Sequence, residues 1–221
     1  MLLLAFDTAT PAVTVALHDG THALAEVTTF DARRHGELLA ASIDQVLTRA
    51  GASRLDITAV AAGTGPGPYT GLRAGLVTAR VLGSALGVPV HGICTLDVIA
   101  ADALAAAAGR DFVVATDARR REVYWARYDA AGARLTGPAV GTPAAVAAEI
   151  PAGTPVAGAG ALLYPDLLGG PGEPGYPSAA TLARLAAQRI AAGLPGLGAE
   201  PVYLRRPDAQ VPGPPKRVTV P

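Results

Sequence analysis

The sequence predicts a mixed α/β protein of two similar lobes, each led by a strand meander that precedes its first helix. Three observations carry this. Two stretches, opening near residues 2 and 111, place successive β-patterned runs around tight turns, and each is followed by segments of helical period. In the first of them short apolar runs then alternate with helices in βαβα order, which calls for a mixed sheet with right-handed crossovers. The 221 residues are 50% apolar, 16% charged and 5% aromatic, which excludes a disordered chain and leaves Ala, Val, Leu and Gly to fill the core.

In chain order, residues 2–7 form an apolar run, Thr8-Ala9-Thr10-Pro11 a turn, and 12–17 a second run that ends at Asp19-Gly20, a hairpin signal. Residues 21–29 should return antiparallel. From His35 to Ala50, Leu38, Leu39, Ile43, Val46 and Leu47 recur at helical spacing, and Gly51 is placed to cap the C-terminus. Strand 57–62, loop 63–68, helix 70–86 closed by Gly87, strand 88–91 and helix 95–108 closed by Gly109 follow. The second unit runs through strand 111–116, a charged turn 117–121, strand 122–128 and a strand near 134–140. Helices near 143–149, 159–168 and 178–192 come next, broken by Pro/Gly segments such as Gly169-Gly170-Pro171-Gly172. These patterns divide the chain into lobes at 1–108 and 109–206, with the last helix free to return to the first lobe. Residues 207–221 hold five prolines and read as a tail.

Lys plus Arg is 18 and Asp plus Glu is 18, so no net field attracts nucleic acid or anionic lipid. Cys94 is the lone cysteine, which rules out an intrachain disulfide and a Cys-based zinc site and fits a reducing compartment. The apolar opening meets Asp7 at once and has no basic leader, unlike a signal peptide, and no run reaches the ~18 apolar residues of a membrane span. A cytoplasmic protein is expected.

Two features between residues 63 and 86 stand out. The loop Gly63-Thr64-Gly65-Pro66-Gly67-Pro68-Tyr69-Thr70-Gly71 joins a strand to a helix, a place where glycines allow close approach to a phosphate. Against that, Pro66 and Pro68 supply no N–H and no lysine follows, so the balance favours a tight strand-to-helix turn over a phosphate cradle. On the helix, Gly71, Gly75, Ala79 and Gly83 recur every fourth residue and draw a smooth stripe. Interior Gly costs about 1 kcal/mol against Ala, tolerable where another backbone packs unusually close. That partner is the chain's own first helix or a helix of another subunit.

Asp7-Thr8-Ala9-Thr10, Arg34-His35-Gly36-Glu37-Leu38, the loop at 63–71 with Leu72, Arg73 and Gly75, Asp117-Ala118-Arg119-Arg120-Arg121-Glu122-Val123-Tyr124, and Tyr203-Leu204-Arg205 together resemble the TsaB (YeaZ) family. The resemblance spans most of residues 1–205 in order. It implies the actin-like, sugar-kinase and Hsp70 ATPase fold, two lobes on ribonuclease-H-like mixed sheets. It also implies an accessory role in forming threonylcarbamoyladenosine in tRNA, pairing with the catalytic paralogue TsaD, with the ATPase TsaE as a further partner. A homodimer in the absence of TsaD and contact with tRNA only through the complex belong to the same expectation. In the family the first two helices build the partner contact, which places Leu39, Ile43 and Val46, with Gly71, Gly75, Ala79 and Gly83, at the interface. The family's older label, peptidase M22-like glycoprotease, finds no support in the residues, which contain neither His-Glu-x-x-His nor Gly-x-Ser-x-Gly.

TsaD-type proteins carry a His-x-x-x-His metal pair in the helix after strand 88–91. Here Thr95 and Ile99 occupy those places, and neither replaces imidazole. The turn at 117–121 has no glycine where the second lobe of an active member would hold phosphate. Asp7, Thr8, Thr10, Gly65, Gly67 and Thr70 are therefore expected to be a vestigial nucleotide or phosphate site, with no catalytic residue and no metal. No cofactor is expected, except that ATP or ADP is allowed at a partner interface. Arg119, Arg120 and Arg121 form a compact basic cluster, a solvated turn by default and a contact to a partner or an anion as the sharper reading. The alternative function is an ATP-dependent phosphotransferase of the same fold, using Asp7, Thr8, Thr10 and the 63–71 loop.

Overall fold

The two meanders fold as two sheets of matching order. The computed structural model describes residues 1–31, 34–170, 172–194 and 198–205, so the Pro-rich stretch 207–221 lies outside the described residues. In the first lobe β1 (Leu3–Asp7) pairs antiparallel with β2 (Ala12–His18), which pairs antiparallel with β3 (Ala23–Phe30). After α1 (His35–Ala50), β4 (Ala59–Gly63) joins the other side of β1 in parallel. After α2 (Tyr69–Leu86), β5 (Val90–Ile93) joins β4, also in parallel. The sheet order is β3-β2-β1-β4-β5. α3 (Thr95–Ala107) leads to the second lobe.

There β6 (Phe112–Asp117), β7 (Val123–Tyr128) and β8 (Arg134–Gly141) repeat the meander, and β9 (Val156–Ala157) adds to β6 in parallel. Its order, β8-β7-β6-β9, repeats the first four positions of the other sheet. β9 was not expected: two residues carry no alternation, and their partners decide that they are a strand. The helix expected at 159–168 is two helices, α5 (Ala159–Leu163) and α6 (Pro165–Leu168), because Pro165 has no N–H to donate and Tyr164 turns out of helical geometry at φ −132, ψ 57. α4 (Pro143–Glu149), α7 (Ala179–Ala191) and a 3-10 turn at Arg54–Asp56 before β4 complete the described elements. α3 ends one residue before the expected glycine cap, with Ala108 taking the left-handed cap at φ 52.

Burial follows from this layering. β1, β2 and β4 are buried along their whole length, because helices cover both faces of the sheet. On one face Leu39, Val46 and Leu47 of α1 and Leu72, Leu76 and Ala79 of α2 pack on Leu4, Phe6, Val13 and Val15. On the other, Leu182, Ala183, Ala186 and Ala187 of α7 pack on Leu3, Ala5, Ala59 and Ala61. The last helix among the described residues thus lies on the first sheet. α3 packs on the second sheet through Leu96, Ile99 and Ala103 and touches α7, so these two helices fill the space between the sheets.

Candidate functional site

The expected site residues separate into three groups. Asp7, at the end of β1, is 1% exposed, and both of its oxygens are engaged: Oδ1 accepts from the Ala9 N–H at 2.7 Å and Oδ2 from the Thr95 hydroxyl at 2.6 Å. Burial pushes its carboxyl above the ordinary 3.8, and these two hydrogen bonds offset only part of that rise. Thr8 donates to the Gly71 carbonyl at 2.8 Å, and the Thr10 hydroxyl accepts from the Ala12 N–H at 3.2 Å. Gly65 is tied to Thr95 in both directions: its N–H donates to Oγ1 at 3.1 Å and its carbonyl accepts from the Thr95 N–H at 2.9 Å. Thr70 is exposed in the first turn of α2.

These contacts explain the loop. A Cβ on Gly63 would lie 1.9 Å from Asp7 Oδ2, and one on Gly67 would lie 2.2 Å from the Ala9 carbonyl oxygen. The glycines let the loop close on the chain's own β1–β2 turn; the close approach read from sequence is to this backbone. Thr95, in the place of the first metal-ligating histidine, holds Asp7 and Gly65 together, and Ile99 is a core residue. Among the described residues no cluster of three or more His, Cys, Asp or Glu is placed to hold a metal. His35 Nε2 lies 3.1 Å from the Thr10 carbonyl, which can only accept, so that nitrogen carries the hydrogen. Cys94 is half-buried, and its thiol is pushed up to about 11 chiefly by burial.

The second group is the helix stripe, and here the structure corrects the sequence. Gly71, Gly75, Ala79 and Gly83 are all buried inside this chain. A Cβ on Gly71 would meet the Thr8 carbonyl at 2.5 Å, one on Gly75 the Thr8 hydroxyl at 2.4 Å, and one on Gly83 the Val90 side chain at 2.3 Å. The smooth face fits the chain's own β1–β2 turn and β5, with His35 at the start of α1 3.2 Å from a Cβ on Gly71, so it packs inside this chain and is not free for another subunit. Leu39 and Val46 are buried on the same side of the sheet, and Ile43 is half-buried against it. α2 instead turns outward through Val77 and Val81, 53% and 60% exposed and one helical turn apart.

Arg119, Arg120 and Arg121 make up the third group. All three take left-handed backbone, φ 60, 55 and 61, in the turn between β6 and β7. Asp117 accepts the Arg119 N–H at 2.7 Å and pairs with its guanidinium at 3.2 Å. This turn faces the N-terminus of α2 across a pocket of about 400 Å³ whose wall also includes Tyr124, Tyr203 and Arg205. The last three were not singled out as site residues. The signal for Tyr124 was the motif that runs from Asp117 to Tyr124; for Tyr203 and Arg205 it was the Tyr203-Leu204-Arg205 triplet, which has no meaning until its segment is seen to return to the cleft, where the Val202 N–H donates to the Thr64 carbonyl at 2.9 Å.

Two lobes on sheets of matching order, facing one cleft, define a two-lobed mixed α/β class of protein. The family model described as TsaD, tRNA N6-adenosine threonylcarbamoyltransferase, matches residues 24–165. YeaZ from Pseudomonas aeruginosa superposes with a TM-score of 0.77 at 32% identity, over 92% of this chain and 99% of that one. An uncharacterized protein of Mycobacterium tuberculosis strain H37Rv is 46% identical over 94% of this chain and 93% of its own length. The Escherichia coli tRNA threonylcarbamoyladenosine biosynthesis protein TsaB is 40% identical over 58% of this chain and 55% of its own. The chain belongs to the TsaB/YeaZ family.

Proposed function

We propose that this chain serves tRNA threonylcarbamoyladenosine biosynthesis as a non-catalytic subunit that binds and supports TsaD, acting in the cytoplasm and reaching tRNA only through that complex. One observation carries the reading: α2 is seated on its own lobe through the glycine stripe and presents Val77 and Val81 to solvent. Two exposed β-branched residues on successive turns of a rigidly held helix are what a helix–helix contact uses. On this reading the contact residues are Val77 and Val81, with the exposed Ala41 and Gln45 of α1 beside them in the proposal. The same face serves a homodimer when TsaD is absent, and TsaE joins the assembled pair. A phosphotransferase would need Asp7 as an anion at the cleft, and its carboxylate is instead closed in by Ala9 and Thr95.

The test is the light-scattering mass of the chain mixed with its cognate TsaD, for wild type and for Val77→Glu/Val81→Glu. The wild type is expected to form a heterocomplex and the variant to lose it while melting as the wild type does, since both positions are exposed. A complex that survives both glutamates would move the contact to another face.

A further inference from the structure

The partner reading leaves the Tyr203-Leu204-Arg205 triplet without a task, and the structure attaches it to both lobes. The segment leading to it is built into the first lobe. Ala199 is buried in that lobe's core, and a Cβ on Gly92 of β5 would lie 2.5 Å from the Gly198 carbonyl oxygen, so the segment lies flat on that strand. The Arg80 guanidinium of α2 donates to the Ala199 carbonyl at 3.0 Å and pairs with Glu200 at 2.6 Å, while the Val202 N–H holds the Thr64 carbonyl. Tyr203 then stacks on Tyr69 at the start of α2, ring centroids 5.4 Å apart. Two residues later the chain reaches the second lobe. Arg205 donates to the Ala118 carbonyl at 2.7 Å, pairs with Glu122, and lies 6.0 Å from the Tyr124 ring centroid.

The turn that receives Arg205 is shaped for it. The Ala118 N–H donates to the Glu122 carbonyl and the Glu122 N–H to the Arg119 carbonyl, each at 3.0 Å, so the turn closes on itself. Closure in so few residues puts Arg119, Arg120 and Arg121 in left-handed backbone and brings the Ala118 carbonyl and the Glu122 carboxylate together on the side of the arriving chain. A planar guanidinium with several fixed donors engages both acceptors at once. The Arg205 and Glu122 side chains are 24% and 31% exposed, so the pair is partly sheltered from screening by salt.

Beside this segment the cleft is not filled. Cavities of about 400 and about 290 Å³ lie between the lobes, the first walled by Tyr69 and Tyr124, the second by Pro11 and Leu162. On the far side α3, packed on the second sheet, meets α7, packed on the first. A helix seam on one side and open space on the other allow one lobe to swing against its neighbour. We infer that residues 199–205 form a strap, rooted in the first lobe and hooked to the second by Arg205, that holds the two lobes at one fixed opening. The β6–β7 turn stays against α2 until Arg205 lets go. Nothing in this depends on TsaD, because every contact of the strap lies within one chain.

The experiment measures the distance between spin labels on the full chain by pulsed electron resonance. Labels are placed at Thr70→Cys in α2 and Ala144→Cys in α4, which are exposed and at the cleft ends of their lobes, with Cys94→Ser to leave no other thiol. Labelled chain is diluted in unlabelled chain, so that only distances within one molecule are read. One narrow distribution is expected without further change. Arg205→Ala should shift it to longer distances and broaden it, and Glu122→Gln, which spares the bond to Ala118, should do so to a smaller extent. An Arg205→Ala distribution that matches the reference would overturn the inference even if the variant melts earlier, since that would make Arg205 a packing residue only. A broad distribution before Arg205 is changed would overturn it as well. Should Arg205→Ala lose its cooperative melt, Glu122→Gln decides by the same reading.

Discussion

Asp7 illustrates how much of this molecule is decided around single side chains. An aspartate closing the first strand of a two-lobed α/β protein invites a reading as a ligand-facing carboxylate. Its surroundings instead take it out of solvent and spend both oxygens on Ala9 and Thr95. Burial raises its folded-state pKa above 3.8, so the native state keeps the proton over an interval in which the unfolded chain has released it. Stability from this group is full below the unfolded value and is lost as pH rises through the folded one. Asp7→Asn keeps the shape and never ionises, so its Tm relative to wild type should climb as pH rises from about 4 to about 8. Thermal melts across that range check it; a flat difference would mean that the carboxyl is not raised. Cys94 illustrates the same logic: a half-buried thiol held at about 11 is a packing residue rather than a nucleophile.

At the scale of elements, α2 is the most informative. Its four-residue repeat of Gly and Ala was legible in the sequence as a close-packed face, and a close-packed face is what the structure contains. The partner was not legible, because a helical period identifies a face but carries no sign of what lies against it. That partner is Thr8 and Val90, brought there by the β1–β2 turn, with Thr8 63 residues before Gly71, and by β5, which follows the helix. Gly75→Leu should therefore act on folding: its Cβ alone would lie 2.4 Å from the Thr8 hydroxyl that donates to Gly71. A loss of about 3 kcal/mol is expected, read as a lowered Tm in the isolated chain with no partner present. An unchanged Tm would return the stripe to the surface. The β6–β7 turn makes a similar point. Three arginines in sequence announce a basic loop, and nothing in them announces left-handed backbone, which residues of this type rarely adopt without a surrounding fold to impose it.

The whole molecule is held together by its ends. α7 lies far from β1 in the chain yet supplies Leu182, Ala183, Ala186 and Ala187 to the core beneath the first sheet. Its first turn is fastened to that sheet, where the Ala179 N–H donates to Thr14 Oγ1 at 3.1 Å and the Ser178 hydroxyl to Glu26 Oε1 at 2.9 Å. The Thr181 hydroxyl also donates to Asp102 of α3. A fragment of residues 1–108 should consequently expose Leu3, Ala5, Ala59 and Ala61 and fail to show a cooperative melt, whereas the full chain melts cooperatively; circular dichroism on both decides it. A cooperative fragment would show that α7 adds little to the first lobe.

The sequence by itself determined the order of the elements apart from β9 and the break between α5 and α6, the duplicated meander and the family, because each rests on local spacing: period two or period 3.6, Gly or Pro at turns, and motif residues in fixed order. It also located the turn at Arg119 to Arg121 and the triplet at Tyr203. Only the tertiary structure decided what those features face. It joined Tyr69, Tyr124 and Tyr203 to the arginines in one pocket, turned the glycines of the 63–71 loop toward Asp7 and Ala9, and split the expected helix at Tyr164. It also chose Val77 and Val81 over the glycine stripe as the outward face of α2. The physical reason is common to all of these. Propensity and period act between residues a few positions apart, whereas burial and charge pairing act between residues that meet only when strands and helices distant in the chain have packed.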